Sequence, residues 1–331
     1  GGGGRGGGGG ASDRLAVAVY PTASMLNHAC EPSASISFTL RTLSVRAARH
    51  IEAGGVVEHC YGPQRGESSR ETRREALRSH YFFECECHIC KMGDQDPVEV
   101  LLSAIRCPNQ PCASPVGIPG CAIEADRAGP TRLKKLSLEP SSPGSGMAGK
   151  CEGCAAEVGE EAANMARGSV GQGLAALALA SDQAGVGKYK QALATLAKWD
   201  GPAILHPLHP LVGQANHTRS RLLFETKNFP AAFQASVLAL DSVAGRFSEG
   251  SLPRGNAAAW AAALAATAQD GAAAGPLARE AASSLEVHYG TAHPNARLLR
   301  ALARVAEGEE GGASNALALA SIGAIVAQTW G

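Results

Sequence analysis

Tyr81-Phe82-Phe83-Glu84-Cys85-Glu86-Cys87-His88-Ile89-Cys90 is the stretch that decides how this chain is read. Its three cysteines are spaced C-x-C-x-x-C, in a sequence with neither a cationic n-region nor a long apolar h-region. Such cysteines read as soft thiolate ligands for zinc rather than as disulfide halves. Three thiolates leave one corner of a tetrahedron open. Cys30, in Asn27-His28-Ala29-Cys30-Glu31-Pro32, is the expected fourth ligand. Between the two pieces lies Glu58-His59-Cys60-Tyr61-Gly62-Pro63, whose Cys60 is expected as a small buried hydrophobe rather than a ligand.

Further along, Cys107 and Cys112 stand at one end of a Pro-, Ser- and Gly-rich stretch, and Cys151 and Cys154 at the other. Two cysteine pairs flanking a polar loop suit a zinc ribbon of four thiolates. The other reading is that one pair is an incidental set of surface thiols. Within the loop, 140–146 is expected to be disordered, as is the glycine tract 1–10. Ten cysteines, seven of them closely spaced, suit a reducing cytosol or nucleus with metal sites. Lys+Arg and Asp+Glu balance at 30 each, so net charge does not point to a nucleic-acid partner. Neither cysteine group is followed by a basic helix with base-reading spacing, so direct nucleic-acid binding is not expected. The apolar stretch 313–330 carries Asn315, Ser321 and Gln328; it reads as a last packed helix and not as a membrane span.

Alternating patterns predict short strands at Ile36–Phe38 and Leu43–Val45, and Gly54-Gly55 turns the chain into a third at Val56–Tyr61. Glu67–His80 reads as a helix with Glu71–Arg74 and Glu75–Arg78 spaced for pairing, so its arginines form a salt-paired face rather than a basic patch. From about Glu160 the chain is helical. Gly187-Lys188-Tyr189-x-x-Ala192 recurs about forty residues on as Lys227-Asn228-Phe229-x-x-Ala232, and Arg246-Phe247-Ser248-Glu249-Gly250 is echoed by Val287-His288-Tyr289-Gly290. Repeating helix pairs of this kind are TPR-like, with a period longer than the roughly 34 residues usual for that repeat. His206, His209 and His293, each followed by proline at a helix entrance, are expected to be exposed loop residues and not metal ligands.

The order N-H-x-C-x-P, then C-Y-G, then Y-x-F-x-C-x-C-x-x-C resembles the second half of a SET domain with its post-SET zinc site, and most nearly the SET-and-MYND (SMYD) family of protein lysine methyltransferases. Val19-Tyr20-Pro21, Ser24-Met25-Leu26, Val45-Arg46-Ala47 and Ile51-Glu52-Ala53-Gly54 fit the same wording. The resemblance covers roughly residues 15–90 closely and the helical remainder loosely. The chain departs from the family at Gly55, where an acidic residue is usual, and at Ser33, where Asn is usual. It opens on glycine rather than Met, and no G-x-G strand motif or MYND cysteine pattern precedes Leu15. It is therefore expected to be a fragment lacking the first SET half.

By resemblance, Asn27 and His28 would contact S-adenosylmethionine and Phe83 would pack on its adenine. Tyr61 would sit at the methyl-transfer point, and Tyr81 would help wall the lysine channel. The plainer readings are that Asn27-His28 braces the loop before a zinc cysteine and that Tyr61 is a strand-end aromatic. The expected fold class is α+β: a partial SET-type β-fold with zinc modules, then an all-α TPR-like array. The expected divisions are a 1–10 tract, 11–84 of SET type, an 85–158 zinc region and 159–331 helical. Two functions follow. One is an S-adenosylmethionine-dependent methyltransferase with a protein substrate; the other is a zinc-stabilised scaffold that binds peptides on the array. Neither calls for a membrane.

Overall fold

The computed structural model describes residues 18–109, 112–125, 133–135 and 147–308. The 1–10 tract, the 140–146 loop and the 313–330 segment lie outside these residues. The architecture is mixed as expected, with short strand pairs and cysteine clusters followed by a run of helices. Among the described residues, every sheet has two strands. No described helix is long and apolar enough to cross a membrane.

The first part is held by two strand pairs. β1 (Asn27–His28) lies parallel to β4 (Glu58–His59). β2 (Ala34–Thr39) and β3 (Thr42–Ala47) form an antiparallel hairpin in which Thr39 faces Thr42. The strand expected over Val56–Tyr61 shrinks to β4 because a side chain takes the place of a ladder. Ser33 Oγ donates to Val56 O at 3.1 Å and accepts from Glu58 N at 2.9 Å. Ser33 thus clamps the start of β4 alongside its pairing with β1.

α1 (Arg70–Tyr81) starts three residues later than expected, because Ser69 caps it by accepting from Thr72 N. Phe82 ends it in the left-handed region at φ 59°. The Glu75–Arg78 pair forms at 2.6 Å, whereas Arg74 turns to Glu84 rather than to Glu71. Leu77 is fully buried against Cys30, Cys85 and Cys90. α2 (His88–Met92) and α3 (Pro97–Leu102) follow. Next come the hairpins β5–β6 (Ala104–Arg106, Pro115–Gly117), β7–β8 (Ile123–Ala125, Leu133–Lys135) and β9–β10 (Met147–Lys150, Glu157–Gly159).

Helices then continue as α4 (Glu160–Gly185), α5 (Tyr189–Ala197), α6 (Gly201–Ile204), α7 (Pro210–Glu225), α8 (Phe229–Ala244), α9 (Leu252–Thr267), α10 (Gly271–Tyr289) and α11 (Pro294–Ala306). From α7 on, each packs on the next. α7, α9 and α11 open at the evenly spaced Pro210, Leu252 and Pro294. The spacing is kept by close approach. A Cβ on Gly213 of α7 would meet Ser242 Oγ of α8 at 2.4 Å, and one on Gly255 of α9 would meet Ser284 Cβ of α10 at 2.4 Å. Each repeat thus seats a serine against a glycine one turn into its first helix. α9 is buried all round from Ala258 to Ala266, as expected of a helix that is apolar on every side. Its Trp260 satisfies the indole N–H on Ser220 Oγ at 2.7 Å.

Candidate active site and metal centres

The first cysteine cluster joins residues that are far apart in sequence. Cys30 leaves β1, Cys85 and Cys87 follow α1, and Cys90 lies in α2, with Cys87 at that helix's N-cap. The four sulfurs all lie within 4.8 Å of one another, with Cys30 3.6 Å from Cys90. Three of the four residues are buried. Four convergent thiols, three buried and one half-buried, suit a structural zinc. Hydrogen bonding among the four sulfurs draws the Cys85 and Cys87 thiols down while it and burial push Cys30 up.

Two polar side chains back this centre. His28 is buried; its Nδ1 accepts from Tyr61 N at 3.0 Å and its Nε2 stands 3.4 Å from Cys30 Sγ. Arg73 of α1 is fully buried, with Nη1 donating to Ser68 O at 2.6 Å and to Glu99 at 2.8 Å. Its Nε and Nη2 have no hydrogen-bond partner among the described residues. Burial pulls its pKa down, but Glu99 and the Cys30 sulfur outweigh that and hold the guanidinium charged. Zinc with four thiolates carries two net negative charges, so a buried cation beside it offsets part of the field.

Tyr61 stands at the centre of a ring of aromatic side chains. Its ring centroid lies 5.0 Å from Tyr81, 5.3 Å from His28, 4.9 Å from His59 and 6.2 Å from Phe83. Its hydroxyl donates to Leu26 O at 2.6 Å, and the Tyr81 hydroxyl donates to Tyr61 O at 2.9 Å. The structure therefore brings His28, Tyr61, Tyr81 and Phe83 together, with the exposed Asn27 next to His28 on β1. Sequence reasoning missed His59, the register partner of His28, whose signal was its place just before Cys60-Tyr61. Cys60 is half-buried and outside both clusters, its Sγ donating to Pro63 O at 3.2 Å.

Ion pairs and the helical array hold the frame of this site. Arg65 donates to Cys30 O from its backbone and grips the buried Asp96 through Nε at 2.8 Å and Nη2 at 2.5 Å. Its Nη1 reaches Glu31 at 3.0 Å. From the array, Arg246 donates to Gly66 O at 2.6 Å, and His288 contacts Ser35 Oγ at 2.5 Å and Gly250 O at 2.9 Å. Arg246 and His288 lie in the two echoed segments, so both repeats touch the first part of the chain at matching helix ends.

The second cluster, Cys107, Cys112, Cys151 and Cys154, also has all four sulfurs within 4.8 Å. Cys107 and Cys154 are 3.4 Å apart, and Cys112 and Cys151 3.7 Å. The two pairs therefore meet, as a ribbon-type zinc site needs, and do not stand apart as incidental thiols. The Ala156 backbone N–H draws the Cys154 thiol down to about 6. His206 and His209 brace this module, which corrects the expectation that they are exposed. Both are buried. Each accepts at Nδ1 from a backbone N–H two residues on, while Nε2 reaches Ala113 O at 3.0 Å and Cys121 O at 3.2 Å respectively. Pro210 after His209 starts α7, whereas Pro207 after His206 lies in the turn before it, and both rings fold back onto the module.

An aromatic cluster at a short strand pair, wired to a four-thiol centre and followed by helices, fits the second half of a SET-type fold. Comparison with known proteins agrees. The chain is 44% identical over 77 residues to protein-lysine N-methyltransferase SMYD4 of Mus musculus, covering 23% of this chain and 10% of that protein. It is 45% identical over 80 residues to histone-lysine N-methyltransferase SMYD3 of Mus musculus, covering 24% and 18%. N-lysine methyltransferase SMYD2-B of Xenopus laevis matches at 30% over 97 residues, covering 29% and 22%. No family model matches the chain. It is thus similar to SET-and-MYND lysine methyltransferases over about a quarter of its length, and it spans less than a quarter of these relatives.

Proposed function

We propose that this chain carries the zinc-buttressed half of an S-adenosylmethionine-dependent protein-lysine methyltransferase site. The observation that carries the reading is the Tyr61 cluster: two tyrosine rings about 5 Å apart beside Phe83, with the Leu26 and Tyr61 carbonyl oxygens and both tyrosine hydroxyls gathered at it. When bound, S-adenosylmethionine would supply a methyl on a positively charged sulfur, and the deprotonated lysine amine would bond to that methyl carbon as the carbon–sulfur bond breaks and the neutral thioether leaves. The residues here would bind, orient and exclude water. Asn27 and the His28 backbone would hold the cofactor's polar edge, and Phe83 would pack on its adenine. The faces of Tyr61 and Tyr81 favour a cationic centre through the ring quadrupole, and the fixed oxygens need no reorganisation as charge moves. Cys30, Cys85, Cys87 and Cys90 would hold one zinc, and Cys107, Cys112, Cys151 and Cys154 a second; each supplies folding energy and no step of the reaction. The partner class is a lysine-bearing protein, with a peptide surface on the array and a reducing cytosol or nucleus as the setting.

The scaffold reading keeps one observation in its favour. Tyr81 and Phe82 are 47% and 88% exposed, so the aromatic surface is open on one side among the described residues. Transfer of tritiated methyl from S-adenosylmethionine to lysine-rich peptides by the full chain separates the two. Incorporation by a chain that holds half of the site is expected to be slow, with Tyr61→Phe about 10²-fold slower still and melting nearly unchanged. Full activity in Tyr61→Phe would remove its role. No incorporation by zinc-loaded wild type would favour the scaffold.

A further inference from the structure

We propose that His28 is a positioning residue that couples the first metal centre to Tyr61, its two ring nitrogens joining the Cys30 sulfur to the Tyr61 amide. The assignment of the tautomer is forced by the partners. A backbone N–H can only donate, so the Tyr61 amide 3.0 Å away makes Nδ1 an acceptor without a proton. The neutral ring then carries its proton on Nε2, which points at Cys30 Sγ at 3.4 Å. An N–H donated to a metal-bound sulfur offsets thiolate charge and fixes the ligand's direction. The line continues outward, because the carbonyl of the same Tyr61 residue accepts from the Tyr81 hydroxyl at 2.9 Å. One hydrogen-bonded path thus runs from metal ligand to imidazole, to the Tyr61 backbone, to Tyr81. β1 and β4 hold its ends in register, with His28 opposite His59, two residues before Tyr61. The two other histidines with this same bonding pattern, His206 and His209, end on carbonyls; His28 alone of the three ends on a ligand sulfur.

The significance of Tyr61 rests on the methyltransferase reading, but the coupling itself is testable without any turnover. In the full-length, zinc-loaded chain with 15N-labelled histidine, two-bond 1H–15N spectra report the His28 tautomer directly. A neutral ring protonated at Nε2 is expected, and a ring protonated at Nδ1 or at both nitrogens would overturn the proposal. Two variants then cut the path at either end. In His28→Asn the amide oxygen can still accept from Tyr61 but cannot reach Cys30. Zinc affinity at the first centre should fall about 10-fold, and the Tyr61 amide resonance should stop responding to replacement of zinc by cadmium, which keeps the centre loaded. In His28→Gln the longer amide can still donate to Cys30, so zinc should be retained while the Tyr61 amide moves toward a free-amide shift. A Tyr61 amide that responds to the zinc-to-cadmium exchange in His28→Asn as it does in wild type would overturn the coupling. Should the variants fail to fold, the wild-type tautomer measurement still decides. If the coupling holds and S-adenosylmethionine does not bind, the functional reading falls and the coupling stands.

Discussion

The two cysteine clusters offer the same four thiols within the same 4.8 Å, yet they are built into the molecule differently. The first takes Cys30 from just after β1, whose His28 packs on Tyr61 and touches that ligand's sulfur. The second is made of two local pairs, and its histidines reach carbonyls of the module from the start of the helical array. The first is therefore part of the aromatic cluster's frame, while the second fastens a module to the helices. The same chemistry serves two purposes because of what stands one layer out.

The largest effect should come from removing one ligand from each centre. Cys87→Ser and Cys151→Ser should each lower zinc content from two per chain to one, with a loss on the order of 10 kcal/mol locally. Only Cys87→Ser should alter the Tyr81–Cys90 segment and the Tyr61 environment, as read by near-ultraviolet dichroism. If Cys151→Ser disturbed Tyr61 equally, the distinction between the centres would fail. Next in size is Arg73→Met, which leaves Glu99 only the Arg70 backbone N–H of its two α1 contacts and takes a buried cation from beside Cys30. It should cost about 3–5 kcal/mol in denaturant unfolding. A loss below about 1 kcal/mol would mean that Arg73 does not compensate the thiolates.

The third test is pH. Burial lowers His209 to about 3 and His217 to about 4, against 6.5 for an unburied ring. Below pH 6.5 the unfolded chain takes up protons that these two folded sites refuse. Stability therefore falls as pH drops from about 6.5 toward 4, by about 1.4 kcal/mol per pH unit for each histidine. In thermal melts His209→Gln should remove its own share, about 1.4 kcal/mol per pH unit, from a slope to which burial of His28, His59, His206 and His288 also contributes. An unchanged slope would show that His209 is not held neutral. The smallest effect belongs to the exposed Glu75–Arg78 pair. Glu75→Ala should change stability by less than about 0.5 kcal/mol, which makes it a surface control on α1 opposite Arg73.

Much of the first region could be read from its letters, because ligand chemistry and local spacing carry it. The C-x-C-x-x-C run called for a fourth thiol, and Cys30 meets it across 55 residues. What the sequence hid is whatever depends on a distant partner. Arg73 looks like one more arginine of a salt-paired helix face, and only the packing of α1 against Cys30 and Glu99 buries it. His206 and His209 looked like exposed loop residues, since nothing local shows that their rings turn back onto a module about ninety residues earlier. The forty-residue echo was legible, but the Gly213–Ser242 and Gly255–Ser284 contacts that set its spacing were not. Glycine and serine carry no periodic hydrophobic signal.

The most direct measurement is calorimetric titration of the purified chain with S-adenosylmethionine, with zinc quantified on the same sample. Saturable one-to-one binding with two zincs per chain is the predicted result. Two zincs and no heat of binding would contradict a cofactor surface on Asn27, His28 and Phe83, and would leave a zinc-stabilised scaffold in its place.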